Sequence, residues 1–241
     1  MNESNEYGGL RRRVLEANLL LARSGLVILT WGNVSEMDRA AGVFAIKPSG
    51  VPYDRMTEDD IVVMSLETGE KVWGKLNPSS DTPTHLKLYQ AWPDVNGVCH
   101  AHSTYATVWS QAARAIPCLG TTHADTFNGE IPVTRRLTTQ EIDDAYEAAT
   151  GDVIIEAFRS RDPSGTPAAL VRQHGPFTWG KNAVDSVEHM MILEQCARIA
   201  HLQYEQGVVS LHESLKKLDE SLRRKHYERK HGANATYGQL D

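Results

Sequence analysis

No run of about 18 apolar residues occurs in this chain, so nothing in it reads as a membrane-spanning helix. Cysteine is scarce. The three present, Cys99, Cys118 and Cys196, are odd in number and scattered, which leaves no disulfide framework and no Cys-x-x-Cys metal or redox pair. Such usage fits a reducing, cytoplasmic setting. Positive charge is not in excess. Lys and Arg number 25 against 31 Asp and Glu, a net charge of −6, and general nucleic-acid binding would need a basic surface. Neither glycine-rich nucleotide fingerprint, GxxxxGK[ST] or GxGxxG, is found. No Pro/Gly/Ser-rich linker, internal repeat or low-complexity segment divides the sequence.

What is present is an ordinary globular composition, 41% hydrophobic and 23% charged, enough for one large domain. Residues 1–9 are polar and acidic and read as a short disordered leader, with a single domain over 10–241. Apolar positions recur at helical spacing from Leu10 to Ser24, closed by Gly25. Leu26–Thr30, Val43–Lys47, Ile61–Leu66 and Lys71–Gly74 read as strands, the last two joined by a turn at Glu67-Thr68-Gly69-Glu70. Thr57 and Asp60 form a capping-box pattern. Helices are expected over Thr84–Trp92, Thr104–Ala113, Thr138–Ala149, Asn182–Tyr204 and Leu211–Lys230. Strands are expected at 95–103, Val153–Phe158, Ala168–Gln173 and Phe177–Gly180, with a short extended piece at Ile116–His123. The uneven alternation fits one mixed sheet with helices on both faces.

The most informative stretch runs from Val95 to Ser103. His100 and His102 are two apart, so on a strand they share a face. Imidazole is the commonest metal ligand. His174 lies in a sharp turn, His174-Gly175-Pro176, and Asp81 lies in a loop before a helix. Three His and one oxygen ligand, with no Cys at ligand spacing, describe a catalytic rather than a closed structural metal site. Four loops carry the groups that an anion needs: Gly32-Asn33, Lys47-Pro48-Ser49-Gly50, Ser79-Ser80 and Thr121-Thr122. They supply backbone N–H groups, hydroxyls and one lysine. Ser79-Ser80 also precede a helix, whose N-terminal dipole favours negative charge. Without a nucleotide fingerprint, a phosphate here would belong to a substrate.

Taken together and in order, several segments resemble the L-ribulose-5-phosphate 4-epimerases of the class II aldolase/epimerase superfamily. They are Thr30-Trp-Gly-Asn-Val-Ser35, Ile46-Lys-Pro-Ser-Gly50, Pro78-Ser-Ser-Asp-Thr-Pro-Thr-His85, His100-Ala-His-Ser103, Gly120-Thr-Thr-His-Ala-Asp125, His174-Gly-Pro-Phe-Thr-Trp-Gly-Lys181 and Lys225-His-Tyr-Glu-Arg-Lys-His-Gly232, followed by Tyr237-Gly-Gln239. The resemblance implies a three-layer α/β/α sandwich on a mixed, largely antiparallel central sheet. It also implies a homotetramer with active sites at subunit interfaces. One divalent metal per subunit is implied, zinc, with manganese or cobalt as alternatives, on His100, His102 and His174 with Asp81 on or beside it. The phosphate would be held by residues matching Gly32, Asn33, Lys47, Ser49, Gly50, Ser79 and Ser80. The acid/base pair matches Asp125 and Tyr237, with Thr121, Glu147, His226 and Arg229 around them.

The implied reaction is interconversion of L-ribulose 5-phosphate and D-xylulose 5-phosphate, a small-molecule chemistry most often serving L-arabinose use, with no nucleic-acid or membrane partner. The C4 hydrogen is not acidic, because the carbonyl is at C2. Retro-aldol cleavage and re-addition, through an enediolate of dihydroxyacetone and glycolaldehyde phosphate, solves that problem, with the metal as Lewis acid. Related ketose-1-phosphate aldolases carry Glu where this chain has Asp81, so the shorter Asp favours the epimerase over the aldolase.

Overall fold

The computed structural model describes residues 7–205, 217–233 and 235. Its strands are β1 (Asn33–Asp38), β2 (Val43–Ile46), β3 (Val62–Ser65), β4 (Lys71–Trp73), β5 (Gly97–His100), β6 (Ala168–Leu170) and β7 (Pro176–Gly180). Its helices are α1 (Gly8–Arg23), α2 (Thr82–Ala91), α3 (Thr104–Gln111), α4 (Thr121–Ala124), α5 (Thr139–Ala157), α6 (Ala183–Glu205) and α7 (Glu220–His231). The strands form one sheet in the order β4-β3-β2-β1-β5-β7-β6. All six pairings are antiparallel. The mixed character expected of the sheet is confined to a single parallel bridge, Val133 to Leu170.

Side-chain alternation along the strands makes three layers. Val34, Cys99 and Leu170 face Leu21 of α1, Trp109 of α3 and Val187, Met190 and Leu193 of α6. Phe44, Ile46, Val98, Phe177 and Trp179 face the other way, onto Leu88 and Tyr89 of α2 and Ile154 of α5. A smaller cluster, Leu10, Val14, Ala45 and Ile61, seals the β2–β3 end beneath α1. Each large side chain in these clusters contributes roughly 1.5–3 kcal/mol by leaving water. Gly97 is where β5 passes under the start of α6. A Cβ there would lie 1.9 Å from the Asn182 carbonyl oxygen, so only glycine allows the approach.

The central strand β1 departs from the sequence reading. Its residues Asn33-Val-Ser-Glu-Met are all buried although three are polar. Each of the three polar side chains has a partner, although Asn33 bonds only through Nδ2 and its Oδ1 has none among the described residues. Ser35 Oγ lies 2.7 Å from His85 Nδ1 and 2.6 Å from Tyr89 Oη. Glu36 accepts from the Ala183 backbone N–H at 2.9 Å, capping α6, and pairs with Arg13. The strand expected at Leu26–Thr30 is instead turn and irregular backbone. Leu26 and Val27 pack on the core while Ile28 and Leu29 are exposed, and Leu29 sits at φ 55°, which ends any extended run.

Val153–Phe158, expected as a strand, is the last part of α5, where Val153 and Ile154 form its buried face. A short apolar run reads the same in either structure. The extended piece expected at Ile116–His123 holds one bridge, Ile116 to Ile131, and then becomes α4. Gly8 and Gly9, expected in the leader, begin α1, while residues 1–6 lie outside the described residues. Of the helix expected at Leu211–Lys230, 211–216 lie outside the described residues, 217–219 are irregular and α7 follows.

Candidate active site

The strand expected over 95–103 is only β5, Gly97–His100; His102 lies past its end, in irregular backbone before α3 begins. The β6–β7 turn brings His174 opposite. The Nε2 atoms of His102 and His174 lie 3.1 and 3.2 Å from His100 Nε2. One nitrogen from each ring fits within a 4.8 Å group, the geometry of a three-imidazole cation site. His100 is anchored twice. Its Nδ1 donates to the Pro176 carbonyl at 2.9 Å, and its ring stacks on Phe177 at 4.1 Å. With the proton on Nδ1, its Nε2 carries a lone pair toward the other two rings. The donor set therefore fits a divalent cation. Burial presses both His102 and His174 toward the neutral form, and the neighbouring imidazoles add to that.

Asp81 ends the loop before α2 and occupies the N-cap position, but its side chain makes no cap bond. It turns inward, and its Oδ2 accepts from Asn33 Nδ2 at 2.6 Å. Burial alone would raise this carboxyl. The imidazoles of His100, His85 and His174 and the Asn33 amide outweigh it and hold the group below the usual carboxylate range.

The His triad and Asp81 line a cavity of about 380 Å³. Three of the four expected anion loops line it as well: Gly32-Asn33, Lys47 to Gly50, and Ser79-Ser80. They are knitted by backbone bonds, from the Ser79 N–H to the Lys47 carbonyl at 3.0 Å and from the Ser49 N–H to the Asn77 carbonyl at 2.9 Å. Gly32 lets its loop approach the triad. It sits at φ +79°, and a Cβ would lie 2.9 Å from the His100 carbonyl oxygen. Lys47 is 1% exposed, and no carboxylate pairs with it among the described residues. Its Nζ donates to the Pro48 and Thr30 carbonyls at 3.2 and 3.5 Å and lies 4.8 Å from the Tyr53 ring. Burial lowers its pKa to about 8.

Glu147 also lines the cavity. Beside it are two aromatic residues that the sequence reading missed. Tyr146 donates to or accepts from His174 Nδ1 at 2.9 Å, with the rings near parallel. Trp31 stands half exposed at the mouth, its ring 6.1 Å from His102. Tyr146 and Glu147 follow a break in α5 at Ala145, which leaves helical geometry there. Periodicity carries no sign of that break.

The remaining expected residues form a second group. Asp125 closes α4 and is not among the cavity residues; α7 wraps it. His226 Nδ1 lies 2.9 Å from Asp125 Oδ1, Arg229 Nη2 donates to both carboxylate oxygens at 3.0 and 2.9 Å, and Lys230 is 3.7 Å away. His231 donates to the Asp125 backbone carbonyl. Burial works against ionisation of Asp125, but His226, Arg229 and Lys230 outweigh it and hold the carboxyl below its ordinary range. Thr121 and Thr122 begin α4 in this group and do not join the anion loops as expected. Tyr237 lies outside the described residues.

Residues 12–201 match the class II aldolase and adducin N-terminal domain family. L-ribulose-5-phosphate 4-epimerase UlaF of Salmonella paratyphi B is 50% identical over 230 residues, covering 95% of this chain and 98% of the relative. The protein of the same name from Salmonella typhi is equally similar. Among solved structures, an L-fuculose 1-phosphate aldolase superposes with a TM-score of 0.76 at 26% identity, covering 92% of this chain and 95% of its own. The L-fuculose 1-phosphate aldolase of Glaciozyma antarctica PI12, at 19% identity and a TM-score of 0.70, shares the fold. With the family model covering residues 12–201 and the relatives half identical over nearly the full chain, this chain belongs to the class II aldolase and adducin N-terminal domain family, and its relatives include L-ribulose-5-phosphate 4-epimerases.

Proposed function

We propose that this chain is a metal-dependent sugar-phosphate 4-epimerase that interconverts L-ribulose 5-phosphate and D-xylulose 5-phosphate. The observation that carries this reading is the single cavity. Its lining joins the convergent imidazoles to a buried lysine that has no carboxylate partner among the described residues, so that one small molecule can meet both. Identity to the epimerases over nearly the full chain supports this substrate. Asp81, turned onto Asn33, favours the epimerase over an aldolase with Glu in that place.

His100, His102 and His174, with Asp81 beside them, would hold one divalent cation; zinc, manganese and cobalt all suit such donors. When bound, it supplies Lewis acidity toward the substrate's carbonyl oxygen. The chain's own residues do the rest. Lys47, the hydroxyls of Ser49, Ser79 and Ser80 and the N–H groups of Gly50 and Ser80 hold the phosphate. A base takes the proton from the C4 hydroxyl, the C3–C4 bond breaks, and its electron pair stays on the three-carbon side as an enediolate. C4 becomes the aldehyde of glycolaldehyde phosphate. Because the phosphate loops retain that fragment, re-addition is effectively intramolecular. The aldehyde turns, C3–C4 re-forms on its other face, and an acid on that side protonates the new alkoxide.

Asp125 and Tyr237 fill the two proton-transfer roles in this reading. Asp125 lies apart from the cavity within one chain. Its separation supports active sites completed by a neighbouring copy, in a homotetramer of cytoplasmic subunits. Among the described residues no helix is long and apolar enough to cross a membrane.

The test is conversion of L-ribulose 5-phosphate with and without chelator, with the product detected by coupling. Conversion lost on chelation and restored by Zn²⁺ or Mn²⁺ is the expected result. Accumulation of free aldehyde without epimer would replace this reading with an aldolase.

A further inference from the structure

A cation held by three imidazoles through Nε2 requires each ring to carry its own proton on Nδ1. Which nitrogen of a neutral imidazole is protonated is set by the partner of the other. For His100 the backbone decides. The Pro176 carbonyl, 2.9 Å from Nδ1, can only accept. Among the described residues His174 Nδ1 has no such carbonyl. Its Nδ1 partner is the Tyr146 hydroxyl at 2.9 Å, which can donate or accept. The hydroxyl is held in place by more than this bond. The two rings lie within 14° of parallel with centroids 6.0 Å apart, and the break at Ala145 lets Tyr146 reach the cavity while Thr150 Oγ1 donates to its carbonyl at 2.9 Å.

We infer that Tyr146 is a positioning residue for the cation site, its hydroxyl accepting from His174 Nδ1–H and thereby fixing the tautomer that offers Nε2 to the centre. The inference rests on the cation site proposed above. Where the backbone fixes His100, the ligand state of His174 then depends on a side chain that substitution can remove. The phenylalanine variant is the clean perturbation. Tyr146→Phe keeps the ring and its stacking and deletes only the acceptor.

The experiment measures Zn²⁺ affinity of the full chain by competition with a chromophoric chelator, together with ¹H–¹⁵N spectra of the imidazoles in the zinc-loaded protein. His174→Gln assigns the His174 resonance. In the native protein a slowly exchanging Nδ1–H signal from His174 is expected. Tyr146→Phe should weaken zinc binding by about 10- to 100-fold, the range for lost partners of metal-bound histidines. The His174 Nδ1–H signal should broaden or vanish, with the unfolding temperature of the metal-free protein unchanged. A variant that binds zinc within twofold of the native protein and keeps the signal overturns the role of Tyr146 and leaves the cation site standing. Native protein that binds no zinc overturns the cation site itself, and the inference with it.

Discussion

Lys47 offers a test in which stability and binding should move in opposite directions. An ammonium 1% exposed, with two backbone carbonyls and an aromatic face for company, is poorly compensated for the water it has lost. Burial accordingly lowers its pKa from 10.5 to about 8. At 1.36 kcal/mol per pKa unit that fall corresponds to about 3 kcal/mol of folding free energy. The sign follows from proton counting. Between about pH 8 and the unfolded value the unfolded chain binds more protons than the native one, so stability rises with pH across that window. Below about pH 8 the penalty is present in full. Lys47→Met fills the space with an unbranched apolar chain and removes the charge. It also leaves two carbonyls short of a donor, which offsets about 1–2 kcal/mol of the gain.

The expected outcome is a variant more stable at pH 7 by about 1–2 kcal/mol, or roughly 2–8 °C in melting temperature for a chain of this size. That advantage should shrink as the pH is raised toward 10. Inorganic phosphate should stabilise the native protein, by up to about 2.7 kcal/mol at a hundredfold excess over its dissociation constant, and so raise its melting temperature, and should leave the variant unmoved. Scanning calorimetry from pH 6.5 to 10, with and without phosphate, reads all of this. In the native protein phosphate protection should fade as the pH passes about 8, where the ammonium is lost. A less stable variant at pH 7, or one that phosphate protects as well as the native protein, would refute the reasoning.

Three further substitutions or truncations probe the other parts of the site. Asp125→Asn should lower turnover by about 10²–10⁴-fold with zinc content unchanged. Because the native carboxyl titrates below its ordinary range, its pairing adds stability above the unfolded value near 3.9, and that stability is lost as pH falls through the folded value. The variant should lack this acid-side dependence in calorimetry below about pH 4. Gly32→Ala forces a Cβ to within 2.8 Å of Val27 Cγ1 and 2.9 Å of the His100 carbonyl oxygen at φ +79°. A loss of about 1–3 kcal/mol in denaturant melts is expected, together with weaker metal binding, since β5 must shift. Deleting residues 232–241 removes Tyr237; turnover should collapse while zinc content by atomic absorption stays at the native level, and an unaffected rate would exclude the tail from catalysis.

How much of this was legible in the sequence depends on where each interaction partner lies. The His-x-His pair was plain because two ligands sit on one short segment, although only His100 belongs to the strand and His102 lies just past its end. Three anion loops were legible because each carries its own donors. Their union was not, since the Ser79 to Lys47 and Ser49 to Asn77 bonds join segments about 30 residues apart. Strand β1 was hidden for a related reason. Asn33, Ser35 and Glu36 look like a loop by polarity, yet they are buried because Asp81, His85, Tyr89 and the start of α6 satisfy them. Those partners lie on α2 and α6, up to 147 positions away.

The same logic separates Glu147 from Tyr146. Glu147 entered through family resemblance, whereas Tyr146 shows its chemistry only when the break at Ala145 and the β6–β7 turn bring its hydroxyl to His174. Polar residues that a pattern assigns to solvent are thus the ones to revisit once the sheet order is known. In this fold β1 lies at the centre of the sheet, between β2 and β5, so its polar side chains have nowhere to point but at the site and the elements that support it.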